Sequence, residues 1–114
     1  VIDSDNPGLL AISNTPYDKR VAGIVAGANG LGSGVKLGPD KYDFDVALAG
    51  RVYCNVDASF GDVLPGDLLT TSPTPGFAMA VKDIENSKGA ILGKAMERLT
   101  ECEKGQILVL VTLQ

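Results

Sequence analysis

The chain has 114 residues, enough for one folded unit that buries roughly two-thirds of its unfolded surface. Fourteen acidic against ten basic residues leave a net charge of −4, which opposes both the phosphate neutralisation behind nucleic-acid binding and attraction to anionic membranes. Histidine and tryptophan are absent and aromatics make up only 5%, so a His-dependent triad or zinc site is excluded and the core must come from Val, Leu, Ile and Ala.

In chain order, fourteen glycines and six prolines punctuate the sequence at the spacing of short strands joined by tight turns. Val1–Asp3 and Leu9–Ile12 flank Asn6-Pro7-Gly8 and read as an opening hairpin, because Pro presets φ and Gly accepts the positive φ of a type II turn. Val21–Val25 is the next predicted strand. Gly27 to Gly34 follows as a glycine-rich surface loop, without the order of a phosphate-binding fingerprint. Asp45 to Val56 is rich in β-formers and reads as one long strand, bulged or bent at Gly50.

Leu64-Pro65-Gly66-Asp67 predicts a turn into the strand Leu68–Thr71, and Ser72 to Gly76 predicts a second turn into Phe77–Val81. Asp83 to Lys88 is a polar connection. Ala90–Leu99 has helical propensity but is assigned as strand, because Ala47–Val52 and Ile91–Met96 share an apolar entry, a Gly, a cation and an apolar exit. Each is followed by a paired aliphatic start, Leu68-Leu69 or Ile107-Leu108, suggesting duplicated strand-turn-strand units; the helix stays open as the alternative.

The final run, Ile107 to Leu113, is apolar on both alternating faces, and a strand of that kind must be covered on both. Ile107, Leu108, Val109, Leu110, Val111 and Leu113 are therefore expected at an interface between copies. No run approaches twenty apolar residues, so membrane insertion is not expected.

Residues that carry chemistry are sparse. Cys54 and Cys102 have no activating base and are either bridged or free. Asp40, Asp43 and Asp45 are clustered carboxylates without a recognised calcium-loop spacing, and no metal or cofactor is expected. Thr70, Thr71, Ser72 and Thr74 form a hydroxyl-rich cluster that suits turn chemistry, with an autoproteolytic nucleophile as the sharper alternative. Tyr17 and Tyr42 fall in loops where a surface glycan or receptor would be met. No catalytic residue is assigned.

Several stretches taken together resemble a family: Tyr17–Val25, Val46–Cys54, GDLLTTSPTPGFAMAV at 66–81, GAILGKAMERL at 89–99 and the closing ILVLVTLQ. They look like the carboxy-terminal domain of bacterial surface proteins and of phage tail-fibre or neck-appendage proteins. The resemblance spans nearly the whole chain. It implies one all-β domain over 1–114, a small barrel or β-clip-like head that forms a homotrimer at the end of a longer, extracellular fibrous protein. Some relatives look like self-cleaving intramolecular chaperones, but no catalytic residue of theirs maps onto this sequence. A glycan- or receptor-binding head, autoprocessing, and an end-to-end filament in which Val1–Ile12 adds a strand to the next copy are the alternatives to a structural role.

Overall fold

The computed structural model of the chain describes residues 1–6, 8–25, 34–36 and 45–113. Its elements are the strands β1 (Ile24–Val25), β2 (Gly34–Lys36), β3 (Asp45–Ala47), β4 (Ala49–Asp57), β5 (Leu68–Thr71), β6 (Ala78–Ala80), β7 (Ile91–Ala95) and β8 (Lys104–Thr112), with 3-10 turns at Ala58–Phe60 and Glu85–Ser87. The all-β expectation agrees with this. Among the described residues no helix is long and apolar enough to cross a membrane.

The strands form two groups. A small antiparallel sheet has the order β1-β3-β2, and the other five pair in a ring, β4-β6-β5-β7-β8, with β8 returning to β4. The ring is not uniform. β4 and β8 are antiparallel partners from Ala49↔Thr112 to Asp57↔Lys104, whereas β4 meets β6 through one parallel bridge, Val56↔Ala78.

Alternation makes the long pair. In β4, Val52, Cys54 and Val56 are buried while Arg51, Tyr53 and Asn55 are exposed, the period-two pattern of a strand with one covered face. β8 does the same with Ile107, Val109 and Val111. These six join Leu69, Ala78, Ala80, Leu92 and Ala95 in one aliphatic core. The short side chains let the walls approach closely. Gly93 shows how closely, because a Cβ there would lie 2.1 Å from the Leu110 carbonyl oxygen across β7 and β8.

Two turns follow their sequence signals. Gly66 (φ 94°) and Gly76 (φ 75°) take the positive φ that the third position of a type II turn requires, and each turn is closed by a backbone bond, Asp67 N–H to Leu64 O and Phe77 N–H to Thr74 O. Ala90–Leu99 contains strand β7, so its helical propensity is overridden by pairing on both sides, to β5 and β8.

Other expectations are corrected. The predicted long strand over 45–56 is two strands separated at Leu48, β3 serving the small sheet and β4 the ring. Only Ile24–Val25 of the predicted strand 21–25 is extended and paired. The opening hairpin is present but short: the bridge Ile2↔Leu10 is flanked by Asp3 N–H to Leu9 O at 3.0 Å and Ala11 N–H to Val1 O at 2.8 Å. The suggested duplication is not expressed in the pairing, since β7 and β8 are neighbours while β6 lies between β4 and β5. Gly27 to Ser33 lie outside the described residues.

Candidate assembly face

β8 occupies the centre of the β4–β8–β7 wall, with both of its edges paired within the chain. Its apolar side chains divide by parity. Ile107, Val109 and Val111 are 3%, 0% and 2% exposed and belong to the chain's own core, whereas Leu108 is half-buried and Leu110 and Leu113 are exposed. A contact between copies would therefore use Leu108, Leu110 and Leu113, and the other three expected interface residues serve the chain's own core.

The outward side of this wall is ordered in rows. Tyr53 on β4 lies opposite Leu108, and Leu110 lies between Arg51 on β4 and Lys94 on β7. The β7–β8 seam continues beyond β7, because Met96 N–H donates to the Leu108 carbonyl at 2.9 Å and Leu108 N–H donates to the Glu97 carboxylate. Tyr53, Met96 and Leu110 are all exposed. The result is a small apolar strip flanked by two cations. Sequence reasoning found Leu108 and Leu110 but missed Arg51, Tyr53, Lys94 and Met96, although the period-two alternation of 50–56 already places Arg51 and Tyr53 on the face opposite Val52 and Cys54.

The ligand candidate Tyr17 lies in a turn, as expected, and is half-buried. Its backbone is left-handed (φ 52°), and its hydroxyl oxygen accepts N–H groups from Lys82 at 3.0 Å and Asp83 at 2.9 Å. The phenol thus ties the 15–20 segment to the loop after β6. Next to it, Asp18 is buried and ion-paired with Arg20 at 2.8 Å. The hydrogen bonds from the Arg20 side chain outweigh desolvation and hold the Asp18 carboxyl below its ordinary value. Tyr42 lies outside the described residues, as do Asp40, Asp43 and the Asp45 side chain.

The hydroxyl cluster is engaged in holding the chain. Thr70 donates to Ala90 O, Thr71 donates to Thr15 O while accepting from Asp18 N–H, and Ser72 donates to Phe77 O while accepting from Thr74 N–H. Thr74 donates to Asp57 Oδ2 at 2.7 Å, and Asp57 Oδ1 accepts the N–H and hydroxyl of Ser59. Desolvation pushes the Asp57 carboxyl upward, but the bonds from Ser59 and Thr74 prevail and leave its pKa lowered. A carboxylate so stabilised is a weak base towards the Thr74 hydroxyl.

A cavity of about 330 Å³ lies between Val1 and Ile12 on one side and Val52, Cys54, Ala78 and Leu92 on the other. Both cysteines are free. Burial pushes the Cys54 thiol up to about 12, so the thiol facing this cavity is protonated at neutral pH and unreactive as a nucleophile. Among the described residues no cluster of three acidic or cysteine side chains could hold a metal ion.

Comparison with protein-family models, curated proteins and solved structures finds no match. Geometry therefore carries the functional argument, and the best-formed surface feature is the outward β4–β8–β7 wall. Its strip is small.

Proposed function

We propose that this chain is a structural assembly domain, a homotrimeric barrel head belonging to an extracellular fibre or surface appendage. The observation that carries the reading is the outward face of β8, where Leu110 is exposed beside half-buried Leu108 and extends a strip with Tyr53 and Met96. Burying that strip against another copy removes apolar surface from water at about 25 cal/mol per Å². A stable contact needs on the order of 800 Å² from each partner, more than the strip alone, so the polar rim takes part. The resemblance to tail-fibre and surface-protein heads supports the same reading, and a closed trimer of β-clip-like heads is the form it implies.

Sedimentation velocity and native mass spectrometry at micromolar concentration, with electron microscopy for filaments, test the proposal. A trimer is expected for the native chain and a monomer for Leu110→Asp, whose side chain points away from the barrel core. A native chain that sediments as a monomer overturns the reading.

A further inference from the structure

We infer that the contact between copies is heterologous: the Asp83-Ile84-Glu85 loop of one copy seats on Leu110 of the next, its two carboxylates facing Arg51 and Lys94. This rests on the assembly reading and adds the second surface that such a contact requires.

The receiving side is a row of three cross-strand neighbours, Arg51–Leu110–Lys94. Adjacent strands lie roughly 5 Å apart, so the two cations bracket the leucine on either side. The one ion pair among the described residues is Asp18–Arg20, which leaves Arg51 and Lys94 without a carboxylate within that set. The donating side carries carboxylates at its centre, with the exposed Lys82 and Lys88 at its two ends. Ile84 is 61% exposed and sits in sequence between Asp83 and Glu85. An isoleucine with an acidic neighbour on each side in sequence thus answers a leucine with a cation on each neighbouring strand.

A lone exposed isoleucine needs no explanation, but this one is held in place from several directions. The Tyr17 hydroxyl accepts the N–H groups of Lys82 and Asp83. The Asp83 carboxylate accepts from the backbone and side-chain amides of Asn86. The Ile84 carbonyl accepts from Ser87 N–H at 3.1 Å and from its hydroxyl at 2.7 Å, and Ser87 itself is buried. A tip pinned in this way loses little conformational freedom on docking, which is what an interface anchor needs.

Charge also disfavours a two-fold axis through the strip itself. In an isologous contact whose two-fold axis passes through Leu110 the strip would meet itself, and Arg51 and Lys94 would each face a cation of the other copy. Like charges in that position are unfavourable. The acidic loop relieves the conflict only if it comes from a different part of the neighbouring copy. Head-to-tail contacts close into a ring when the rotation permits and otherwise propagate as a filament.

The test uses the whole chain in three forms: Arg51→Glu with Lys94→Glu, Asp83→Lys with Glu85→Lys, and all four together. All four positions are exposed, and thermal unfolding checks that each form folds. Each double variant is expected to weaken assembly by at least roughly tenfold in sedimentation equilibrium, and the quadruple variant to regain it. Raising salt should weaken the native assembly. Double variants that assemble like the native chain, while Leu110→Asp does not, overturn the pairing and leave the assembly reading standing. A native chain that is monomeric overturns both.

Discussion

The two edges of β4 are held in different ways. On the β8 side, backbone pairing runs unbroken from Ala49↔Thr112 to Asp57↔Lys104; on the β6 side there is one bridge, Val56↔Ala78. Side chains take over where the ladder is missing. Asp57 ties the end of β4 to Thr74 in the turn that feeds β6, and Thr71, Asp18 and Tyr17 fasten the 15–20 segment over the same side of the molecule. The contrast teaches that the ring of strands is held by backbone on one side of β4 and chiefly by polar side chains on the other. The strip proposed for assembly lies on the backbone-paired wall, where strand positions are most firmly set.

The largest expected effect breaks the strong side. Gly93→Ala would place a methyl group 2.1 Å from the Leu110 carbonyl oxygen, which only separation of β7 from β8 can relieve. A loss of about 3 kcal/mol is expected, the upper range for overpacking of a fitted interior. Urea denaturation monitored by circular dichroism measures it. A Gly93→Ala protein as stable as the native one would show that β7 and β8 are less closely joined than the geometry indicates.

Next in size is the polar seam. Asp57→Ala removes the acceptor of three hydrogen bonds and leaves Ser59 N–H and the Thr74 hydroxyl without it, at a cost of about 2 kcal/mol at neutral pH. The pH dependence has a definite sign. Asp57 and Asp18 have folded-state pKa values lowered from 3.8, so the folded chain binds protons less readily than the unfolded one. Their contribution is complete above the unfolded value and is lost as pH falls through the lower folded values. Native stability should therefore decline below about pH 4, and Asp57→Ala should show a shallower decline. Parallel acid titrations of the two proteins would expose an error in this assignment if their slopes coincide.

How much of this was legible in the sequence depends on how local the cause is. The Pro-Gly turns at 64–67 and 74–77 were readable because their φ demands are met within four residues. The alternation of 50–56 is equally local, yet the reading of 45–56 as one long strand does not use it. For the 107–113 run, composition gave no parity: the sequence shows apolar residues at both odd and even positions, and only the pairing with β4 decides that Val109 turns in and Leu110 turns out. The break at Leu48 was also hidden, because β3 and β4 have the same strand-forming composition and differ only in which sheet accepts them. Tyr17 was the least readable position of all. Its partners lie 65 and 66 residues away, and nothing near it in sequence marks it as an acceptor.

Tyr17 also gives the smallest effect expected. Tyr17→Phe keeps the ring and deletes the oxygen that accepts from Lys82 and Asp83, both exposed enough for water to replace it in part. The net loss in global stability should be about 1 kcal/mol. The local consequence is larger than the global one, because the same two amides set the base of the Asp83-Ile84-Glu85 loop. Amide hydrogen exchange should accelerate at Lys82 and Asp83 while Val52, Val56 and Val109, in the paired wall, keep their protection. If the loop also docks on a neighbouring copy, the variant should assemble more weakly without any change in the charges that meet there, since a loosened tip must be ordered again on binding. Unchanged exchange at both amides would mean that the phenol is a bystander and that the loop holds its shape through Asn86 and Ser87 alone.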